Sequence, residues 1–318
     1  MPYEFVIADV FTDRAFGGNQ LAVLTDARGL SAGQMQAVAR EFNFAETTFV
    51  LPPDGPGVTA RLRIFTPAAE LPFAGHPTVG TAAVLAALGR VPVADGRARV
   101  VFAEGVGPVE VTVSGVGSAS GVEGDLWAEL ELDAVLTRPA ADPEPSAVAA
   151  ALGLPAGTVL ESWYAGVGMP CAFARLATEA DVDAARVVDG AWESALGGGW
   201  APLLYFFAGD LVDGADLYAR MFARDLGVAE DPATGGACAA LVACLAERDG
   251  RPDADVTLTV RQGFAMGRPS HLAAAARTAG GRLVHVRVGG GVVLFARGTL
   301  AHLVLEGEEE SKPVVHLT

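Results

Sequence analysis

"PFAGHPTVGTAAVLAALG", residues 72–89, passes from a turn that contains glycine into a stretch of small and apolar residues. "DPATGGACAALVACLAERDG", residues 231–250, makes the same change in the second half of the chain. Gly235 follows Gly75 by 160 residues, which is close to half of the 318-residue chain. Because matching turns at equivalent points of two halves indicate an internal repeat, the sequence predicts a duplicated unit with one apolar helix in each copy.

The first of these helices is predicted from Pro77 to about Leu88, with proline in its first turn and Gly89 after its end. Its residues are apolar or small on every side, so we expect it to be buried all round. The similarity of the halves extends backwards, since "RIFT" at 63–66 precedes the first turn and "RMFA" at 220–223 precedes the second. Ordered agreement of several segments favours a true repeat over chance.

Short runs typical of β-strands outnumber the helical stretches, among them "YEFVIADVF", "QLAVL", "ARLRIF", "VEVTVS", "DVTLTV", "LVHVRV" and "GVVLFA". Few helices lie between successive strands, which favours an α+β fold with antiparallel pairing over a doubly wound parallel sheet. One further helix is well marked, because Ser31 and Gln34 form a capping-box pattern and apolar residues follow at helical spacing to Phe42. That helix leads the chain to Glu46.

Two domains are expected, an N-terminal one at 1–125 and a C-terminal one at 126–318. The boundary is placed where glycine, serine and proline are concentrated, among residues 115–145. The last strand is a candidate to return to the N-terminal domain, and "VVHLT" at 314–318 is predicted as one more short strand.

The composition argues against several classes of partner. Twenty-two basic and 38 acidic residues give a formal charge of -16, which opposes binding to nucleic acid and to anionic membranes. No stretch reaches the roughly 18 apolar residues that a spanning helix requires. The three cysteines form no CxxC pair, so neither a disulfide framework nor a thiolate zinc site is indicated. We expect a soluble protein of the reducing cytoplasm.

The two glycine turns suggest an anion site. If the helix N-termini faced each other, unpaired backbone N–H groups and both positive dipole ends would point into the space between them. Glycines at 75 and 235 would let a ligand approach the backbone closely. A small carboxylate is expected rather than a polyphosphate, since no GxxxxGK[ST] or GxGxxG motif follows a strand. The alternative is that these glycines only cap buried helices.

Three ionisable side chains accompany the turns. Glu46 lies in the apolar run "FNFAETTFVL", where neighbouring phenylalanines would raise its pKa by disfavouring the charged form. His76 and Asp231 each precede a proline beside one of the turns. Taken singly, these residues are a strand-edge carboxylate, a structural histidine and a common turn. Together they predict general acid–base proton transfer at carbon without a cofactor.

Competing chemistries have weaker support. No GxSxG motif occurs, which argues against a serine hydrolase of the α/β type. The five histidines show no HxxxH or HxH spacing, so the sequence contains no argument for a metal site.

Six blocks of the sequence resemble the phenazine-biosynthesis isomerases, the PhzF-like family. They lie in family order from residue 9 to residue 300: "DVFTDRAFGGNQLAV", "MQAVAREFNFAETTFV", "RIFTPAAELPFAGHPTVGTA", "EDPATGGACAA", "QGFAMGRPS" and "VRVGGGVVLFARGTL". The resemblance implies a diaminopimelate-epimerase-like fold of two pseudo-symmetric domains. Each domain has a curved, mainly antiparallel sheet around a central helix, and the active site lies between them. It also implies a homodimer and a reaction that needs no metal or coenzyme.

The resemblance assigns roles to residues of this chain. The family's catalytic glutamate falls on Glu46, and its histidine and aspartate fall on His76 and Asp231. The substrate-binding positions implied by the same motifs are Asn19, Gly75, Thr234, Gly235 and Gly236. Gly236 replaces a serine that helps to hold the ligand in the phenazine enzyme, so the identity of the substrate stays open.

The expected function is a cofactor-independent isomerase that shifts a proton and a double bond in a small anionic carboxylate. Trans-2,3-dihydro-3-hydroxyanthranilate, the substrate of the named phenazine enzyme, is the candidate. One alternative is an epimerase or racemase that uses Glu46 with another base. A two-cysteine racemase is excluded, because Ala74 stands where the first thiol would be. A second alternative is a homologue that binds carboxylates without turnover, for which Gly236 is the best sequence argument.

Overall fold

The computed structural model describes residues 2–117, 126–133 and 135–301. The strands of the first half are β1 (Tyr3–Val10), β2 (Asn19–Leu24), β3 (Glu46–Leu51), β4 (Ala60–Phe65), β5 (Glu70–Leu71), β6 (Arg97–Glu104), β7 (Gly107–Ser114) and β8 (Trp127–Asp133). Those that follow are β9 (Val159–Val167), β10 (Met169–Leu176), β11 (Leu204–Ala208), β12 (Ala215–Phe222), β13 (Ala254–Gln262), β14 (Ser270–Ala279) and β15 (Arg282–Leu300). The helices are α1 (Ala32–Phe42), α2 (Gly75–Ala87), α3 (Pro145–Ala151), α4 (Glu179–Ala184), α5 (Asp189–Ala195) and α6 (Gly235–Asp249).

Seven strands of the first half close into a ring with β15. β1, β2, β3, β4, β6, β7, β8 and β15 are hydrogen-bonded in that order, and β15 pairs with β1 again. From β15 the sheet continues through β14, β13, β12, β11 and β10 to β9. The ring and this continuation are the two curved sheets of the fold. β15 links them: its residues 285–291 pair with β8, and its residues 292–300 pair with β1. Most neighbours are antiparallel, as predicted; the parallel pairs are β2–β3, β4–β6, β10–β11 and β12–β13.

One helix fills the centre of each sheet. In α2 every residue from His76 to Ala86 is buried, and in α6 every residue from Ala237 to Ala246 is buried. The helices begin at Gly75 and Gly235, the two glycines that sequence analysis placed at equivalent points. The predicted α+β fold with a central apolar helix in each half is therefore confirmed.

The bounds of α1 and α2 follow from their local sequences. α2 begins two residues before the predicted Pro77, because the first helical amides need no intrahelical acceptor and proline is tolerated throughout that turn. α1 begins at the predicted capping box, in which Ser31 and Gln34 bond each other's backbone N–H groups. Asn43 follows its last residue as the C-cap, and the φ of 52° at Asn43 turns the chain toward β3.

Some predictions fall outside the described residues. The predicted boundary between 125 and 126 adjoins the segment 118–125, and the strand predicted at 314–318 lies in the segment 302–318; both segments are outside the described part. The division into domains at 125/126 stays a prediction. In the part of the chain that is described, every helix is too short or too polar to cross a membrane.

Candidate active site

The N-termini of α2 and α6 face each other between the two halves. A side-chain carbon added to Gly75 would lie 3.9 Å from the backbone nitrogen of Gly236. The N-cap residues, Ala74 and Thr234, make no side-chain hydrogen bond to the amides that follow them. The first N–H groups of both helices are thus free of side-chain caps, and an anion between the helices would meet donors from both.

A small pocket with mainly apolar walls adjoins these helix ends. Its lining includes Phe11, Phe73 and Val288 together with the glycines at 75, 235 and 236. A carbon added to Gly235 would lie 3.4 Å from the Phe11 ring, whereas one added to Gly236 would have no neighbour within 4 Å. The turn of α6 therefore presents one tightly packed glycine and one that faces open space.

Glu46 and His76 meet at the edge of this region. Glu46 is the first residue of β3, and His76 is the second residue of α2. Glu46 Oε2 lies 3.3 Å from His76 Nε2, and the exposed fractions of the two side chains are 17% and 7%. The two atoms are not oriented to form a hydrogen bond, and each is buried without another hydrogen-bond partner among the described residues. Two unsatisfied polar atoms at one place are unusual in a folded protein, which makes this pair a candidate functional site.

Burial shifts the pKa values of these two side chains in opposite directions. Loss of solvation raises the pKa of Glu46 to about 8, and the negative charge of Asp231 raises it further. Loss of solvation lowers the pKa of His76 to about 3, against a smaller opposing effect of a hydrogen bond to the backbone of Gln20. At neutral pH Glu46 therefore keeps its proton and His76 is uncharged; only the upward direction of the Glu46 pKa was predicted from the sequence.

Asp231 is held by donors to both carboxylate oxygens. Asn19 Nδ2 donates to Oδ1 at 2.7 Å, and the Thr234 hydroxyl donates to Oδ2 at 2.6 Å. Burial raises the pKa of Asp231 to about 6, while these two hydrogen bonds lower it and the charge of Glu230 raises it. Asn19 also donates to the carbonyl of Ala233 at 3.2 Å, so β2 of the first half is tied to the turn that opens α6.

Sequence reasoning missed Gln262, the last residue of β13. This glutamine is fully buried, and its carboxamide donates to the Asp231 carbonyl at 2.8 Å and to Thr234 Oγ1 at 2.9 Å. Its oxygen accepts from the Thr234 backbone N–H at 3.2 Å. The only signal was its place at the start of the block "QGFAMGRPS", because its partners lie about 30 residues away in sequence.

All eight predicted site residues lie at the ends of β2, β3, α2 and α6 or in the turn before α6. Asn19, Thr234 and Asp231 form one hydrogen-bonded group, and Glu46 pairs with His76. The three glycines lie at the opposed helix starts. Within the described ranges, His, Cys, Asp and Glu side chains nowhere gather in threes that could hold a metal ion.

Comparison with known proteins gives the family. The family described as "Phenazine biosynthesis-like protein" matches residues 8–298. The chain belongs to this family. An uncharacterized isomerase of Mesorhizobium japonicum is 38% identical to it over 310 residues, covering 93% of this chain and 98% of the relative. Trans-2,3-dihydro-3-hydroxyanthranilate isomerase of Pseudomonas chlororaphis is 34% identical over 309 residues, covering 94% and 99%.

A solved structure agrees with the fold. It is the structure of a predicted epimerase from Pseudomonas aeruginosa, which is 30% identical to this chain and superposes with a TM-score of 0.74. The match covers 95% of this chain and 100% of the epimerase. The predicted PhzF-like membership, the diaminopimelate-epimerase-like fold and the assignment to the isomerases are confirmed by these matches.

Proposed function

We propose that this phenazine biosynthesis-like protein shifts a proton, and with it a double bond, in a small carboxylate substrate, and that Glu46 carries the proton. The main support is the pairing of Glu46 with His76: a largely buried carboxyl with a pKa near 8 beside an unpartnered imidazole nitrogen. A group whose pKa lies near neutrality can both give up and take back a proton.

The substrate carboxylate would bind between the two helix starts. Backbone N–H groups at Gly75, Gly235 and Gly236 are its proposed donors, and both helix dipoles favour a negative charge there. This arrangement needs no arginine.

Each ionisable side chain has a part in the proposed reaction. Glu46 gives its proton to one carbon and recovers one from another, so the carboxyl ends as it began and no redox partner is required. Neutral His76, whose Nε2 lies 3.3 Å from Glu46 Oε2, packs beside the carboxyl and would position it for the transfer. Asp231, which is ionised when both oxygens accept hydrogen bonds, orients a polar substituent of the substrate.

A single substitution tests the proton carrier. Glu46→Gln should abolish incorporation of solvent deuterium into the substrate, followed by mass spectrometry, while carboxylate binding persists. Glu41→Gln is a matched control, because Glu41 is an exposed residue of α1. Undiminished exchange in the Glu46→Gln protein would refute the assignment.

Trans-2,3-dihydro-3-hydroxyanthranilate is the first substrate to test, because a relative at 34% identity is named for its isomerisation. Epimerisation is the second candidate, because one of the similar solved structures, at 30% identity, is described as a predicted epimerase. Analysis of the product separates the two, since only epimerisation leaves the bonding pattern unchanged. Carboxylate binding without any exchange would instead indicate a homologue without turnover.

The remaining expectations belong to the same proposal. The enzyme would act without a cofactor, as a homodimer in the cytoplasm, with no nucleic acid or membrane partner. Light scattering of the purified protein tests the dimer.

A further inference from the structure

Gln262 lies at one end of a chain of hydrogen bonds that reaches Asp231 through Thr234. Gln262 Nε2 is a donor only, and it lies 2.9 Å from Thr234 Oγ1. The Thr234 hydroxyl is therefore the acceptor in that contact, and its single proton remains for another partner. That partner is Asp231 Oδ2, 2.6 Å away.

The orientation of the Gln262 carboxamide is itself fixed. Its oxygen accepts from the backbone N–H of Thr234, and its nitrogen donates to the backbone carbonyl of Asp231. Exchanging the oxygen and the nitrogen would set donor against donor and acceptor against acceptor in these two contacts. Because Gln262 is fully buried, water does not offer a substitute.

Building on the proposed function, we propose that Gln262 is a positioning residue: it directs the Thr234 hydroxyl proton to Asp231 and so keeps Asp231 an anion beside Glu46. Among the described residues the hydrogen bonds of Gln262 go to Thr234 and Asp231, so it acts through these two residues. The consequence reaches the proton carrier, because the charge of Asp231 helps to hold the proton on Glu46.

The surroundings of Asp231 leave few other influences on its charge. The ionisable side chains near it are Glu46 of β3 with His76 of α2 beside it, Tyr205 of β11, and Glu230 with its partner Arg220 of β12. Arg220 binds both carboxylate oxygens of Glu230, at 2.8 and 2.9 Å, which offsets the negative charge next to Asp231. No cation among the described residues bonds Asp231 directly, so the Asn19 and Thr234 donors are its main stabilisation.

Titration of Asp231 tests this role. The carboxyl carbon is followed by NMR in protein labelled at aspartate, with Asp231→Asn to assign the signal. Thr234→Val should raise the apparent pKa of Asp231 by about one unit, the loss of one hydrogen bond to a charged group. Gln262→Met should raise it in the same direction, because the Thr234 hydroxyl is then free to turn away.

The double variant separates positioning from general support of the fold. If Gln262 acts through the Thr234 hydroxyl, Gln262→Met should add no shift once Thr234→Val is present. Thr234→Ser keeps the hydroxyl and should keep the Asp231 pKa. Gln36→Met is a matched control, because Gln36 also donates to two backbone carbonyls but lies in α1.

Several outcomes would overturn the role of Gln262. These are an unchanged Asp231 pKa in Gln262→Met, or shifts that simply add in the double variant. If Gln262→Met does not fold, Gln262→Glu keeps the shape and replaces the donor by an acceptor, and it should raise the Asp231 pKa above the wild-type value. No shift there would also refute the role.

The test is distinct from that of the proposed function. Exchange that survives in Glu46→Gln refutes the proton carrier, whatever Asp231 does in the titration. If deuterium exchange is lost in Glu46→Gln but the Asp231 pKa is unchanged in Gln262→Met, only the positioning role is refuted. If Glu46 is the proton carrier and Gln262 positions Thr234, the pH profile of deuterium exchange should shift in Gln262→Met and remain unchanged in Gln36→Met.

Discussion

The carboxyl of Glu46 is a place where the requirements of catalysis and of stability oppose each other. Its folded pKa of about 8 exceeds the ordinary value of 4.5, because burial penalises the charged form. The folded chain therefore keeps a proton that the unfolded chain releases between these two values. The associated stability is complete below pH 4.5 and is lost as the pH rises through 8.

Glu46→Gln removes this loss, because glutamine cannot ionise. The variant should melt at a higher temperature than the wild type at pH 9, and the difference should shrink toward pH 5. Calorimetry at the two pH values measures this, and Glu41→Gln should show no such difference. Equal melting temperatures of variant and wild type at pH 9 would contradict the high pKa of Glu46. A gain of stability on removal of a catalytic group is a common trade-off.

Residues of the site differ in how far the sequence could reveal them. Glu46, His76 and Asp231 could be singled out because each stands in a distinctive local setting, a carboxylate among phenylalanines or an ionisable residue before proline at a helix start. Gln262 could not, since a buried glutamine becomes significant only through contacts that the fold creates. The unusual pKa of Glu46 was predictable in direction, but its dependence on the charge of Asp231 was not.

At the scale of helices and strands, local patterns predicted most elements and failed where tertiary contacts override propensity. "LVHVRV" and "GVVLFA" were predicted as two strands, the second beginning at Gly291 after Gly289 and Gly290, yet β15 runs unbroken through all three glycines. These glycines permit close approach rather than a break: carbons added to Gly289 and Gly291 would lie 2.8 Å from the Ala128 carbonyl oxygen and 2.5 Å from that of Thr12. β14 escaped notice because its alanines have low strand propensity.

The packing of α2 against the first sheet leads to a prediction about Gly80. An added carbon at this glycine would lie 2.6 Å from both Leu21 Cδ2 and Val10 Cγ2, and these two side chains are fully buried and unable to withdraw. Gly80→Ala should therefore destabilise the protein by about 1–3 kcal/mol. Urea unfolding measures the change.

Gly190→Ala in α5 provides the comparison. An added carbon there has no neighbour within 4 Å, so alanine should stabilise the helix by about 0.5–1 kcal/mol. If Gly80→Ala lowered the free energy of unfolding no more than Gly190→Ala does, the inference that α2 packs tightly on β1 and β2 would be refuted.

Across the whole molecule, a buried ion pair joins the two halves close to the site. Asp9 of β1 bonds Arg268, which precedes β14, at 2.5 Å, and their side chains are 4% and 18% exposed. Arg268 also donates to the carbonyls of Gly17 and Gly18. It thereby fixes the loop before Asn19, whose amide reaches Asp231. One arginine thus stabilises both the contact between the halves and the approach of β2 to the α6 turn.

Arg268→Met should therefore be costly, because it leaves the Asp9 carboxylate buried without a cation and two carbonyls without their donor. We expect a loss of about 3–5 kcal/mol in the free energy of unfolding, measured with guanidinium chloride. Arg28→Met removes an exposed pair with Asp26, whose side chains are 69% and 43% exposed, and should cost less than about 1 kcal/mol. Adding Asp9→Asn to Arg268→Met should restore part of the loss, since the unpaired charge is then gone. A loss in Arg268→Met no greater than that in Arg28→Met would mean that the halves are held together by apolar packing along β15 and the two central helices, with no essential contribution from this pair.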